Sequence, residues 1–240
     1  MTLTAVVTGV SRGLGRCICR SLKDSGYQVL GVGAAATPGH DALDDYRSVD
    51  LSAPLPPDLF AGKEIDVLVN NAGLYLDDPR RGYGDLFGLS LDDLRSTFEV
   101  NLFGAVQMAQ RYVPDMIARG RGRLVCVSSG MGRLQDADGA SFAYRSSKLA
   151  VNSLALAVSR HFTPPGVDLS AFSYCPGWIR TGMGTPSAPH EPALAAADLA
   201  RLLGAPATVT NGRFFRGRDE LGWDTHDPFG ARVVTPQRWA

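Results

Sequence analysis

The sequence predicts a doubly wound α/β sheet, and three observations carry that expectation. Short, almost wholly apolar runs recur along the chain, each run is followed by a stretch with helical spacing, and glycines cluster where the first run turns into the first helix. Strands that are apolar on every residue belong in a parallel sheet covered on both faces, since a one-sided sheet would alternate apolar with polar.

Leu3–Thr8 (LTAVVT) reads as the first strand and Leu14–Ser25 as the first helix. Gln28–Val32 (QVLGV) and Ile65–Val69 (IDVLV) read as further strands, joined by a connector through SAPLPPD, Ser52–Asp58. Asp50 and Asp66 are 16 positions apart, and Pro54, Pro56 and Pro57 lie between them, so this crossover is reduced to a turn. A long helical stretch runs from about Leu91 to Ala118, followed by the strand Leu124–Val127 (LVCV). Between them, ARGRGRL spaces Arg119, Arg121 and Arg123 with glycines and reads as a solvated turn. The helix Ala143–His161, the strand Leu169–Tyr174, the helix Pro192–Leu203 and a short strand near Arg213–Phe215 complete the pattern. With right-handed crossovers this is a Rossmann-like, three-layer αβα sandwich. No repeat or linker divides it. One catalytic domain is expected over residues 1–223, with residues 224–240, which lack a clear period, as a C-terminal tail.

The chain of 240 residues is long enough to bury a core without disulfides or metals. Its 24 lysines and arginines balance 24 acids, which argues against nucleic acid or an anionic membrane as partner. Cys17, Cys19, Cys126 and Cys175 have no metal-ligand spacing and read as reduced, small apolar residues; no metal site is expected. MTLTAVVTGV enters a strand with no charged leader or long apolar stretch, so neither a signal peptide nor a membrane span is expected, and the location is cytoplasmic.

Two features carry chemistry. TGVSRGLG, Thr8–Gly15, places Gly9, Gly13 and Gly15 between strand and helix, where residues without Cβ allow backbone to approach a pyrophosphate and the helix start offers N–H groups. Glycine needed only for a tight turn would look the same; the position after the first strand of such a sheet favours a dinucleotide. No Gly-Lys-Ser/Thr follows, so it is not a P-loop. Farther on, Tyr144 and Lys148 in FAYRSSKLAVN are four apart on one helical face. An ammonium beside a phenol favours the phenolate and draws its pKa from about 10 toward neutrality, as a general acid/base requires. Ser128 and Ser129 follow the strand LVCV at the end of the sheet where ligands bind.

The glycine turn, NNAG (Asn70–Gly73), VNLFG around Asn101, VSS ending at Ser129, YRSSK and PGWIRT (Pro176–Thr181) stand in the order of the short-chain dehydrogenases/reductases, which the chain resembles from Leu3 to about Trp223. PGWIRTGMG and NGRFFRGRDELGW resemble the carbonyl-reductase-like branch, and the glycine-rich ending of the acyl-carrier ketoreductases is missing. The resemblance implies an NAD(P)-dependent oxidoreductase interconverting a small-molecule carbonyl and a secondary alcohol. Tyr144 would exchange the proton, Lys148 would lower its pKa and hold the nicotinamide ribose, Ser129 would polarise the substrate oxygen, and Asn101, at an expected helix kink, would hold a relay water. Gly9, Ser11, Arg12, Leu14 and Gly15 would hold the cofactor from the glycine turn, and Asp50 and Leu51 from the adenine side. Asn71, Ala72 and Gly73 would flank the adenine-ribose side, and Pro176, Gly177, Ile179 and Thr181 the carboxamide and phosphate side. The two long helices would form a homodimer or homotetramer face.

Family members that use NAD carry an acid at the end of the second strand; here Gly33 holds that place, and Arg12 resembles the basic residue of NADP-preferring members. NADP(H) is therefore expected over NAD(H). The 14 residues between Ser129 and Tyr144 and the long segment after Gly73 are substrate-side loops, the latter with aromatic residues that, with Trp178 and Met183, can wall an apolar pocket or simply pack among themselves. A redox-neutral epimerase or dehydratase and a non-catalytic dinucleotide-sensing regulator stay open as alternatives, though both tend to lose residues that are intact here.

Overall fold

A computed structural model of the chain describes residues 2–82, 86–161 and 167–223; the expected tail 224–240 lies outside the described residues. Eight strands form one sheet: β1 (Thr4–Thr8), β2 (Gln28–Gly33), β3 (Asp45–Ser48), β4 (Val67–Asn70), β5 (Arg121–Val127), β6 (Asp168–Cys175), β7 (Phe214–Arg216) and β8 (Asp219–Glu220), in the order β3-β2-β1-β4-β5-β6-β7-β8. All pairings are parallel except β7 with β8, a hairpin edge. The sheet is thus parallel with one antiparallel edge. The sequence reading lacked β3 and β8, whose residues (DYRS and DE) are polar and carry no apolar run.

The apolar strands feed two cores. Ala5, Val7, Val67, Val69, Val125, Phe172 and Tyr174 face α1 (Gly13–Asp24) and, later in the chain, α5 (Pro192–Leu203), which pack side by side through Ile18, Leu22, Ala195 and Leu199. Their strand neighbours Val6, Leu30, Leu68, Leu124, Cys126 and Leu169 face the other way. There they meet α3 (Gly104–Arg119) through Met108, Tyr112 and Met116, and α4 (Phe142–His161) through Val151 and Ala155. Alternation within a fully apolar strand is what covers both faces.

The stretch read as one helix from about Leu91 is α2 (Leu91–Phe98), a π-helical turn (Glu99–Phe103) and α3 in continuous succession. Ser90 caps α2 by accepting from the N–H groups of Asp92 and Asp93. Between β3 and β4 the chain makes only turns, and Leu59 and Phe60 from this connector fill the core that a crossover helix would have covered.

The arginine cluster is not a solvated turn. Gly120 ends α3 in the left-handed region at φ 69°, and β5 begins at once with Arg121. Arg119 donates to the Ile65 carbonyl at 2.5 Å, Arg121 pairs with Glu64, and Arg123 pairs with Asp168 at 2.7 Å. Glycine spacing mimicked a turn, while the ladder with β6 made a strand of it.

Candidate active site

The sheet reverses its strand order at β1, with β2 and β3 on one side and β4 onward on the other, so a crevice opens beyond the C-terminal ends of β1 and β4. One wall is the glycine turn. Gly9 has φ 71°, and a Cβ there would lie 2.8 Å from Ala72 Cα, while a Cβ on Gly15 would run into the Gly9 carbonyl. Gly13, at φ 55°, faces the methyl of Thr181, so the turn and the segment after β6 approach each other across the crevice. Arg12 precedes α1 in extended conformation and gives it no side-chain cap, which leaves the first N–H groups of the helix to another acceptor.

Asn71 turns its amide back to the carbonyls of Thr8, at 2.8 Å, and Gly9, at 3.2 Å. The Thr8 hydroxyl accepts from the N–H groups of Asn71 and Ala72, both at 3.0 Å. Asn71 therefore braces the glycine turn through its side chain, and Thr8, unremarked in the sequence, is its partner. Leu14, Leu51 and Ile179 bury their side chains in the two cores, so only their backbones border the crevice. Asp50 is exposed after β3 and accepts from the N–H and hydroxyl of Ser52, which hold its carboxyl below the usual range. At the end of β2, Gly33 stands among Ser11 and Tyr46; Tyr46 donates to the Gly33 carbonyl at 3.1 Å. Pro176 and Gly177 follow β6, with Gly177 at φ 77°.

The second wall carries the polar cluster. Ser129, just past β5, caps a short turn by accepting from Met131 N–H at 3.2 Å, and its hydroxyl is near enough to the Tyr144 phenol to draw its pKa downward. Ser128 points the other way and donates to the Lys148 carbonyl at 3.2 Å, which leaves Ser129 as the serine on the tyrosine side. Lys148 is buried and donates from Nζ to the Val127 carbonyl at 2.8 Å; Nζ lies 5.7 Å from the centre of the Tyr144 ring. Gly73 leaves space there, since a Cβ would stand 3.4 Å from Nζ and 3.3 Å from Asn101 Oδ1.

Asn101 occupies the π turn. Its Oδ1 accepts from Leu74 N–H at 2.6 Å, and its Nδ2 donates to the Leu74 carbonyl and to Ser147 Oγ, both at 2.9 Å. Ser147 in turn donates to the Tyr144 carbonyl at 2.7 Å. The amide is thus committed to protein partners and ties the π turn to α4 and to the chain after β4.

The electrostatics differ from expectation. Burial pushes the Tyr144 phenol well up, Cys175 and Tyr75 add to this, and the Ser129 hydroxyl and Arg80 act against it. Burial also pulls Lys148 down to about 8. Desolvation is the largest influence on both groups, each of them buried. The phenol is held as a protonated acid rather than drawn toward phenolate.

Tyr75, one of the aromatic residues of the long segment after Gly73, and three residues absent from the sequence reading, Asp77, Asp78 and Arg80, complete this wall. Tyr75 stacks on Tyr144 with ring centres 4.3 Å apart, and the buried Asp77 accepts from the N–H groups of Ala143 at 2.6 Å and Tyr144 at 3.3 Å. Arg80 forms a two-pronged pair with the buried Asp78, at 2.8 and 2.7 Å. Their run, YLDDPR, has no period, and apart from the Arg80–Asp78 pair its side-chain hydrogen bonds reach partners 66 residues or more away in the chain, so little that is local marks them. Trp178 is half exposed and donates from its indole to the Gly184 carbonyl, while Phe87 is exposed, so an aromatic wall is realised in Tyr75 and not in Phe87.

Comparison with known proteins agrees with this geometry. The family model described as short chain dehydrogenase matches residues 58–192. The chain is 27% identical to oxidoreductase UcpA of Salmonella typhimurium over 92% of its length and 90% of that protein's. Carbonyl reductase Sniffer of D. melanogaster superposes with a TM-score of 0.77 at 20% identity, covering 90% of this chain and 97% of that one. A 3-oxoacyl (acyl-carrier-protein) reductase from Agrobacterium tumefaciens C58, solved with NADP bound, gives 0.75 at 24% identity over 90% and 93%. Among the described residues no helix is long and apolar enough to cross a membrane and no group of side chains is placed to hold a metal. With a doubly wound sheet, a glycine cradle at its switch point and a model match over more than half its length, the chain belongs to the short chain dehydrogenase family.

Proposed function

We propose that the protein is an oxidoreductase of carbonyl-reductase type that interconverts a carbonyl and a secondary alcohol and prefers NADP(H). The observation that carries this reading is the convergence of Ser129, Tyr144 and Lys148 on the crevice whose other wall is the glycine turn. The cradle fits a dinucleotide: Gly9, Gly13 and Gly15 leave room that any Cβ would fill, and the start of α1 lacks a side-chain acceptor. When bound, the nicotinamide supplies or accepts the hydride.

This chain's residues do the rest. Ser129 donates to the substrate oxygen and fixes its position, and Tyr144, protonated because it is buried, gives that oxygen its proton. A phenol held as an acid suits carbonyl reduction as the working direction. Lys148, buried and with two donors left after its bond to Val127, is placed to bind a ribose hydroxyl and to stabilise negative charge as the proton leaves Tyr144. Gly9, Ser11, Arg12 and the backbones of Leu14 and Gly15 would hold the phosphates; Asp50, the Leu51 backbone and Asn71–Gly73 the adenosine side; and Pro176, Gly177, Ile179 and Thr181 the nicotinamide side. Gly33 leaves no acid to repel a 2′-phosphate, and Arg12 is exposed and forms no ion pair among the described residues, which supports NADP(H).

Calorimetric titration with NADPH and NADH, joined to turnover of ketones and quinones, tests the reading. Tight NADPH, weak NADH, and a loss of about a hundredfold or more in kcat for Tyr144→Phe are expected. NADH preference would overturn the cofactor assignment alone. Binding of neither dinucleotide would overturn the redox reading, and binding without turnover would turn the site into that of a sensor.

A further inference from the structure

Tyr75–Arg80 lies between β4 and the 3-10 turn at Pro79–Arg81, and it makes several long-range polar contacts. Asp77 holds the first turn of α4 at Ala143 and Tyr144. The Tyr75 hydroxyl shares a hydrogen bond of 2.5 Å with Ser141 Oγ, one residue before that helix, and its ring lies on Tyr144 at an interplanar angle of 28°. The Arg80 guanidinium sits over the other reach of the Tyr75 ring, 5.8 Å from its centre. It is fixed by Asp78, whose side chain is only 2% exposed. From there it crosses to the segment after β6 and donates to the carbonyls of Met183 at 2.9 Å and Gly184 at 3.3 Å. Gly184 also accepts from the Trp178 indole and its N–H donates to Thr181 Oγ1 at 3.0 Å, so this loop is already folded on itself where Arg80 takes hold.

We propose that Arg80 is a positioning residue that latches the loop at Met183–Gly184 to the Tyr75 segment and thereby keeps Tyr75 pressed on Tyr144, setting both the orientation of the proton donor and the width of the substrate entrance. The inference rests on Tyr144 being that donor. Its chemistry needs arginine. One planar fork serves a carboxylate with two nitrogens, two carbonyls on another loop and an aromatic face together, which a lysine ammonium does not. The guanidinium charge also works on the phenol in the sense opposite to burial. Removing the Arg80 side chain alone would take the guanidinium from the buried Asp78 carboxylate, so a variant that changes both partners separates the latch from that loss.

The experiment compares wild type, Arg80→Lys and the double variant Asp78→Asn/Arg80→Met. Amide hydrogen exchange is followed over residues 141–146 and 178–188, together with reduction of phenanthrenequinone by NADPH. Exchange in both segments is expected to quicken about tenfold or more in both variants. kcat is expected to fall about tenfold to a hundredfold while the NADPH dissociation constant stays within about twofold. Arg80→Lys, which keeps the charge, is expected to lose less of kcat than the double variant. Unchanged exchange at 178–188 would overturn the latch whatever the turnover. Faster exchange with kcat untouched would overturn the positioning role. If wild type reduces no carbonyl while exchange behaves as expected, the reaction assigned to Tyr144 fails and the latch itself stands.

Discussion

Lys148 shows what burying an ammonium costs in a folded chain. Its ammonium is buried behind the strand ends with the Val127 carbonyl as its hydrogen-bond partner, and burial, only partly offset by Cys126 and Cys175, brings its pKa from 10.5 to about 8. A depressed pKa on a basic group means that the unfolded chain binds more protons between the two values, so stability rises with pH from about 8 to 10.5 and the cost is fully present below 8. Lys148→Met keeps much of the stem's packing and removes the charge. After allowing for the lost bond to Val127, a gain of about 2 kcal/mol at pH 7 is expected, or a rise of roughly 4–8 °C in Tm, with activity abolished. Scanning calorimetry at pH 7 and again near pH 10.5 decides it, since the gain should fade at the higher pH; a lower Tm for the variant at pH 7 would show that the ammonium is solvated or paired and that its burial is not the cost described. Tyr144 imposes no such cost at neutral pH, because burial favours the form that both folded and unfolded chains already hold there.

The helix running from α2 through the π turn into α3 depends on a close approach rather than on propensity. Gly104, the first residue of α3, packs on Leu51, where a Cβ would lie 2.8 Å from the Leu51 Cβ and 3.0 Å from its carbonyl oxygen. Gly104→Ala is expected to push the helix off the β3–β4 connector and lower stability by about 1–3 kcal/mol despite alanine's better helix propensity, a drop of roughly 2–10 °C seen by thermal unfolding. An unchanged or raised Tm would mean that the connector yields and that the contact does not fix the π turn. This element also shows where sequence is informative. The long apolar period from about Leu91 and the family-like VNLFG pointed to a kinked helix at Asn101, and TGVSRGLG and YRSSK pointed to the two walls of the crevice, because each of these signals is local. The strands β3 and β8 were illegible because edge strands need no apolar run, and the role of the Asn101 amide because its partners, Leu74 and Ser147, lie on other elements. Asp77, Asp78 and Arg80 fall in the same class: two carboxylates and an arginine in a loop read as solvated until the fold brings α4 and the Met183 loop to them.

At the scale of the molecule, the two cores stack on opposite faces of one sheet, while every group assigned to the site stands beyond the C-terminal ends of its strands. The crevice is assembled from the turn after β1, the segment after β4, the serines after β5, the start of α4 and the segment after β6; the segment after β4 binds the turn after β1 through Asn71, the start of α4 through Asp77 and the segment after β6 through Arg80. A dinucleotide lying in the cradle would touch most of these segments at once, and a ligand that binds only the folded chain stabilises it by RT ln(1 + [L]/Kd). At a hundredfold excess over its dissociation constant NADPH is expected to contribute about 2.7 kcal/mol, or roughly 5–10 °C in Tm. NADH at the same concentration should give a markedly smaller shift, because only the 2′-phosphate engages Arg12. Arg12→Glu, at an exposed position that no core residue leans on, should leave the free protein's Tm within about 1 °C while cutting NADPH affinity about tenfold or more. Equal shifts with the two nucleotides in wild type, or an NADPH shift that survives Arg12→Glu, would move the source of cofactor preference away from the glycine turn and toward the polar edge at Tyr46 and Arg47 on β3.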